Sequence, residues 1–335
     1  MKALVYRGPF ETTLEDVPEP AAEPGSVVVQ VAAVGMCGSD VTAFTGHMDT
    51  ANSGDVRGHE FAGHVVEATG PDERWLGLQV AVNPNVTCGR CGFCQGGADN
   101  LCPEARLIGV HRAGAYAERV SVPVRQLVVL PSTVPFTAAA TTEPLAQAVH
   151  DVRLALRHGT VDTALVIGSG AIGFFVLQAA RNLGIGSVAV LEPSPARRAS
   201  AEAAGADQVF ASTEEAADML RAKPVSAAFD AVGTEATRQL AVLSTRPGGT
   251  VILVGLHVGS SSLEFRDVIR REIALCGSMA ETAADFHLAA AWLAQRQAGL
   301  PSLPAPHDLA EGPALFRELA TAGRSELRTF LTAIS

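Results

Sequence analysis

The sequence predicts a two-domain α/β protein, a β-rich unit followed by a parallel sheet flanked by helices, and three observations carry that reading. The first 130 or so residues hold short apolar runs, "SVVVQVAAV", "HVVEATG" and "LQVAVNP", separated by Gly, Pro and Asp. That spacing suits a barrel-like or sandwich unit. From about Thr137 the texture changes, and the strand-like runs "TALVI", "SVAVLE", "AAFDAV" and "TVILVGL" alternate with amphipathic segments, as in a parallel sheet covered by helices. Third, the first of those runs leads into "VIGSGAIGFFVLQAARNLG", where Gly168, Gly170 and Gly173 spell G-x-G-x-x-G. At 335 residues and 47% hydrophobic, the chain can bury a sizeable core and divide into two domains.

The glycine motif gains weight from its flanks. Ala164 to Ile167 reads as a strand, Ala171 and Ile172 open a helix, and Ile172, Phe175, Val176, Ala179, Ala180 and Leu183 recur at helical spacing up to a stop at Gly184. Glycines there permit a tight turn and let backbone N–H groups at the helix start approach a pyrophosphate. The next strand ends at Glu192, nineteen residues beyond Gly173. An acid in that place accepts hydrogen bonds from the adenosine ribose and repels a 2′-phosphate, so NAD is expected rather than NADP. Arg197 and Arg198 follow, either as partners of the adenosine end or as solvated helix residues.

Composition narrows the function classes. A net charge of −10, from 25 Lys and Arg against 35 Asp and Glu, argues against a nucleic-acid partner. The opening "MKALVYRGP" lacks the apolar run of a secretory signal, and no stretch of about 18 apolar residues exists to span a membrane. The expected location is therefore cytoplasmic, where thiols stay reduced.

That compartment bears on "CGRCGFCQGGADNLC", whose Cys88, Cys91, Cys94 and Cys102 follow C-x2-C-x2-C-x7-C. Disulfides are the weakest reading; a metal site and a redox pair stay open. Elsewhere "GMCGSD" offers Cys37 and Ser39, "RGHEFAG" offers His59 and Glu60, and "TTEPLAQAVH" places Glu143 before a proline suited to a first helical turn. Together these are the ligand types of a catalytic zinc, which takes about three protein ligands and keeps an open position. Cys276 lies outside both groups and is expected to be a buried strand residue.

In order along the chain, "GMCGSD", "GHEFAG", the four-cysteine run, "GAYAERVSVP", "TEPLA", "GSGAIG", "FDAVG" and "RPGGTVILVGL" resemble the zinc-containing medium-chain dehydrogenase/reductase family, the alcohol dehydrogenases. The likeness covers essentially the whole chain and is nearest in style to the polyol, threonine and butanediol dehydrogenase branches. It implies a GroES-like β-rich catalytic domain over 1–147 with a zinc lobe at about 84–104, a Rossmann NAD-binding domain over 148–290, and a return of 291–335 to the catalytic domain.

The same resemblance implies two zinc ions per chain. Cys88, Cys91, Cys94 and Cys102 would hold a structural ion, and Cys37, His59, Glu60 and Glu143 the catalytic one. Zinc would polarise the substrate oxygen while hydride passes to NAD, with Ser39 relaying the alcohol's proton. The implied activity is oxidation of a secondary alcohol, such as a polyol, cyclitol, aminocyclitol or sugar-like compound, to its ketone. A homodimer or homotetramer is implied as well. An NADP-dependent carbonyl reductase and a non-catalytic nucleotide-binding relative are the alternatives.

This chain departs from the family's pattern at two places. Thr42 stands where many relatives have a His in the proton relay, with His47 as a substitute or as a surface residue. Arg57 replaces a usual proline; it is expected to face solvent, with contact to a polar or anionic substrate beside the metal as the alternative. Phe44, His111 and Arg112 fall in loops expected to border the substrate pocket, and Glu272 matches an acidic position without an assigned role.

Overall fold

The computed structural model describes residues 1–256, 259–295, 300, 303–322 and 328–333. The strand Ser26–Gly35 is the axis of the first unit. One of its edges pairs antiparallel with Glu60–Glu67, and the other is shared by Arg119–Pro123 and Phe330–Thr332. Gln79–Val82 and Leu127–Val129 extend the sheet on one side, and His307–Asp308 extends it beyond Phe330–Thr332, giving seven strands.

The valine run in Ser26–Gly35 does not alternate because both faces of the sheet are covered. Val27, Val29 and Val31 pack into the barrel-side core with Phe44, Val65 and Tyr116. Ala33, Ala62 and Ala81 belong instead to a cluster that continues into the helix Thr142–Leu156. Each fully buried valine or leucine here contributes on the order of 1.5–3 kcal/mol relative to exposure.

The second unit is a six-stranded parallel sheet in the order Gln208–Phe210, Ser187–Leu191, Thr163–Ile167, Val225–Asp230, Thr245–Leu253, Ala274–Gly277. The chain enters at Thr163–Ile167, in the middle, and builds outward first one way and then the other. This reversal leaves a crevice beyond the carboxyl ends of the central strands. The helix Ala171–Asn182 follows at once. A Cβ on Gly173 would sit 1.7 Å from the Gly168 carbonyl oxygen, so only glycine lets the helix lie this close to the turn. The molecule is therefore a two-domain α/β protein: among the described residues a six-stranded parallel sheet stands beside a seven-stranded sheet that is antiparallel except where His307–Asp308 pairs with Phe330–Thr332, with two small two-stranded sheets besides.

The helix Thr142–Leu156 joins the units. Leu145, Ala148, Val149, Val152 and Ala155, at helical spacing, are all fully buried and pack against the helices Ala171–Asn182 and Ala283–Ala294. Position 147 lies inside this helix. Within 291–335, residues 296–299, 301–302, 323–327 and 334–335 lie outside the described residues. Of the rest, the helix Gly312–Ala322 stacks Phe316 on Phe44 with ring centroids 5.3 Å apart.

Two expectations need correction here. Cys276 lies on the edge strand Ala274–Gly277 but is only half-buried, its sulfur 3.2 Å from His158 Nε2, because an edge strand lacks a neighbour to cover it. Phe44 lies in no loop; it ends the helix Gly38–Phe44 and is 2% exposed in the core, where it lines a small cavity with Asp40 and Arg57. Among the described residues no helix is long and apolar enough to cross a membrane.

Candidate active site

Sheet register assembles the site. Gly35 pairs directly with Glu60 across adjacent antiparallel strands. Two residues beyond Gly35 the chain turns at Cys37, which caps the helix Gly38–Phe44, and its N–H donates to Asp40 Oδ2 at 3.3 Å. On the facing strand His59 immediately precedes Glu60. One ligand atom each from Cys37, His59 and Glu60 lie within 4.8 Å of one another. Strand ends fix the three side chains, so their separation does not depend on a loose loop.

The surroundings are buried and charged. Asp40 Oδ1 lies 3.7 Å from His59 Nδ1 and 3.4 Å from Arg57 Nε, and Oδ2 accepts a 2.7 Å hydrogen bond from the Tyr116 hydroxyl. Glu60 is ion-paired with Arg328. Burial opposes a charged His59, but Asp40 and Cys37 outweigh it and push the imidazole up to about 10. Burial likewise opposes a thiolate at Cys37, yet the hydrogen bond and charge of His59, with Arg328, bring it down to about 6. Glu143, half-buried in the first turn of Thr142–Leu156, is raised to about 7 by burial and by Cys37 and Asp40, against the pull of His59.

These residues fit a divalent cation. A thiolate, an imidazole and carboxylates form a donor set that zinc takes, with a further acid in electrostatic reach. His59 Nδ1 and Glu60 Oε1 have no hydrogen-bond partner among the described residues. With the Cys37 thiol lowered and the imidazole raised, the proton released on metal binding would come from His59.

The four-cysteine segment forms a second cluster. Cys88, Cys91, Cys94 and Cys102 bring one sulfur each within 4.8 Å of the others, with Cys91 and Cys94 sulfurs 3.5 Å apart and Cys88 and Cys94 3.9 Å apart. None forms a disulfide. Backbone N–H groups of Arg90 and Cys91 bring the Cys88 thiol down to about 7, whereas burial and the Cys91 thiol push Cys94 up to about 11.

At the nucleotide end, Gly168, Gly170, Ala171, Ile172 and Gly173 form the turn and first helical residues beyond Thr163–Ile167. A Cβ on Gly170 would meet nothing within 4 Å, so the turn has open space on that side. Glu192 is 2% exposed, and its carboxylate accepts from the N–H groups of Ser169 and Ser194 and from Arg197, each at 2.8 Å. Burial works to raise its pKa, but Arg197 and the two N–H groups hold it below the ordinary value. Arg197 thus turns inward as the partner of Glu192, while Arg198 donates to the Glu192 and Pro193 carbonyls.

Several sequence expectations change. Arg57 is 5% exposed, not solvated, because the helix Gly38–Phe44 brings Asp40 over it and Met48 Sδ lies 3.2 Å from its guanidinium. His47 is exposed and contacts Thr45 Oγ1 at 3.1 Å, and Thr42 donates to the Gly38 carbonyl within its own helix. Ser39 is half-buried in the first turn beside Cys37. His111 and Arg112 are exposed in a tight turn, where His111 Nδ1 accepts from the Leu107 N–H. Glu272 has φ +49 in a turn before Ala274–Gly277, a local backbone role.

Three residues at the site are not evident from sequence. Asp40, three residues after Cys37, carries a detectable signal as the acid that closes the helix cap. Arg328 and Glu281 carry none, being 268 and 138 residues from Glu60 and Glu143 respectively.

Comparison with known proteins gives a consistent set of likenesses. The pattern described as "Alcohol dehydrogenase GroES-like domain" matches residues 23–132, and that described as "Zinc-binding dehydrogenase" matches 171–295. Sorbitol dehydrogenase of Bacillus subtilis (strain 168) is 31% identical over 267 residues, 76% of this chain and 75% of the relative. L-threonine 3-dehydrogenase of Chelativorans sp. (strain BNC1) is 32% identical over 83% of each chain. Among solved structures, a zinc-binding dehydrogenase from Sinorhizobium meliloti 1021 bound to NADP superposes with a TM-score of 0.86 and 28% identity, over 99% of this chain and 98% of that one.

Proposed function

Because the chain belongs to the zinc-containing medium-chain alcohol dehydrogenase family, among its polyol and threonine dehydrogenase-like branches, we propose that it oxidises a secondary alcohol to a ketone with NAD. The observation that carries this reading is the convergence of Cys37, His59 and Glu60 on a chain that also holds the glycine turn of a parallel sheet. The domain division proposed is 1–147, 148–290 and 291–335.

Cys37, His59 and Glu143, with Glu60 as an exchanging ligand, would hold a catalytic zinc, and Cys88, Cys91, Cys94 and Cys102 a structural one. When bound, the catalytic ion supplies Lewis acidity to the substrate oxygen and the nicotinamide accepts hydride. The chain's own groups do the rest. Asp40 orients His59, and Arg328 holds Glu60. Ser39, half-buried in the first helical turn after Cys37, would pass on the hydroxyl proton, and the buried residues Asp40 and His59 would keep water from the metal position.

NAD is favoured by the buried, ionised Glu192 at the end of Ser187–Leu191. Six free cysteines suit a cytoplasmic setting. The open edge of Ala274–Gly277, with Leu256, Phe265, Ile269 and Met279 exposed, suits a homo-oligomer.

The test is a panel of polyols, cyclitols and other secondary alcohols with NAD, followed by absorbance of the reduced cofactor. Cys37→Ala is expected to bind NAD without turnover and to drop zinc content from two ions per chain to one. Full rate in that variant would overturn the reading.

A further inference from the structure

Asp151 is a buried acid for which the site described above has no use. It lies on the helix Thr142–Leu156 at 0% exposure, and its Oδ1 accepts from the Ser278 hydroxyl at 2.5 Å and from the Gln147 amide at 2.7 Å. The same amide donates to Ser278 Oγ at 3.3 Å, which closes a triangle of three side chains. Among the described residues no hydrogen-bond donor meets Asp151 Oδ2. A carboxylate kept from water with one oxygen unmatched is costly on a helix whose neighbouring Ala148, Val149, Val152 and Ala155 are all buried.

Ser278 gives this contact its reach. It is the first residue after the edge strand Ala274–Gly277, which runs parallel to Thr245–Leu253, so the chain emerges at the carboxyl end of the sheet, where the glycine turn also lies. From there 278–283 forms a strap between the units. The parallel sheet holds its start, the Ser278 N–H donating to the Leu253 carbonyl at 2.9 Å. The first unit holds the rest: Asn100 donates to the Met279 carbonyl at 2.9 Å, the Asn85 amide donates to Glu281 Oε1 at 2.9 Å, and Asp99 accepts from the Ala283 N–H at 3.2 Å. The triangle at Asp151 adds the tie to the helix that joins the units.

The charges around Asp151 set the sense of its response. Burial pushes its carboxyl up to about 6, against the pull of the Ser278 and Gln147 hydrogen bonds and of His150, while Asp285 adds to the rise. His150 and Arg153, on the same helix, are both engaged by Asp285 of Ala283–Ala294, where His287 is exposed. The other elements packed on this helix direct their charges elsewhere. Arg181 meets Asp207, Arg246 the Thr160 carbonyl, Glu60 Arg328 and Glu67 the Ala22 N–H, and His64 lies edge-on to Phe136. We propose that Asp151 and Ser278 form a pH-sensitive latch on this strap, closed while Asp151 holds its proton and eased once the proton is lost to water. A lifted strap exposes Asp151 and takes Ser278 away, returning the acid to about 3.9. The latched form therefore binds the proton more tightly than the lifted form. Lifting is held back in acid, grows as pH rises from about 4 to about 6, and levels off above that.

Hydrogen exchange of the full chain over 278–283, read by mass spectrometry and corrected for the intrinsic effect of pH on exchange, tests the latch without substrate or cofactor. In the unmodified protein the opening equilibrium of the strap is expected to rise roughly tenfold between about pH 5 and about pH 7.5, with Ser187–Leu191 protected at both. Asp151→Asn stays neutral at every pH and can accept the same two hydrogen bonds at Oδ1. It is expected to abolish the pH dependence and to slow opening roughly tenfold at about pH 7.5. Ser278→Ala removes the latch hydroxyl and leaves the acid in place, and is expected to speed opening roughly tenfold at about pH 7.5. Opening in the unmodified protein that is no faster at the higher pH overturns the inference without needing a variant. A pH dependence that survives Asp151→Asn overturns it as well, as does Ser278→Ala exchange equal to that of the unmodified protein. Each of these results leaves the dehydrogenase reading intact, because no turnover is measured.

Discussion

The side chain of Asn100 donates a 2.9 Å hydrogen bond to the carbonyl of Met279, tying the four-cysteine lobe to the segment that carries Glu281. Asn100 lies two residues before Cys102, so the lobe's geometry sets that of a loop about 180 residues away in sequence. Replacing Cys94 by Ala is expected to speed hydrogen exchange across 279–283 while leaving Ser187–Leu191 protected, as mass spectrometry would read. Asn100→Ala, which removes the tie alone, is expected to cost about 1 kcal/mol in urea unfolding.

Gly35 is expected to tolerate no side chain. A Cβ there would lie 2.6 Å from Glu60 Oε2 and 3.2 Å from Arg328 Nε, and both partners are buried in their ion pair with little room to move. Gly35→Ala should destabilise the protein by about 1–3 kcal/mol, the usual cost of overpacking. Zinc analysis after dialysis should find the lobe's ion retained and the other lost. Unchanged stability together with full metal content would count against the crowding argument.

Glu192 supports the nucleotide turn as well as setting cofactor choice. Its carboxylate accepts from the Ser169 N–H at 2.8 Å and from Arg197 at 2.8 Å, so Glu192→Ala removes a support of the glycine turn and frees a guanidinium. NADH affinity, followed by nicotinamide fluorescence, is expected to fall roughly tenfold while NADPH affinity rises. A clear NADPH preference in the unmodified protein would end the NAD assignment.

Asp285 gives a pH signature. Burial works to raise its pKa, but hydrogen bonds from His150 and Thr282 and the charge of His150 hold it below the ordinary value. The folded pKa is thus depressed, so the stabilisation is present above the unfolded value of about 3.9 and is lost as pH falls through the folded one. Asp285→Asn should lower unfolding free energy by about 2 kcal/mol at neutral pH, with the difference from the unmodified protein shrinking below about pH 4. Urea titrations at several pH values measure this; a pH-independent difference would contradict it.

What was legible in the sequence shares one property, short range. The glycine turn, the run of four cysteines and the helix of Leu145, Val149 and Val152 each lie within about 20 residues, where spacing alone places side chains. Cys37 and His59 are farther apart, and the Gly35 to Glu60 register of two adjacent strands brings them together. The misreadings of Arg57 and Phe44 have a common origin. An Arg after a turn looks solvated, and a Phe near a pocket motif looks available, until a covering element is known. Here Asp40 covers Arg57, and Phe316 from the far end of the chain covers Phe44.

The sequence alone determined the fold class, the glycine turn and the ligand types, because local propensity, periodicity and spacing are written into neighbouring residues. Only the tertiary structure decided which charges meet: Arg328 with Glu60, Arg57 with Asp40, and Glu281 left with one open oxygen. The reason is physical, since a buried charge is set by whatever the fold brings within a few ångströms, and that partner can lie hundreds of residues away.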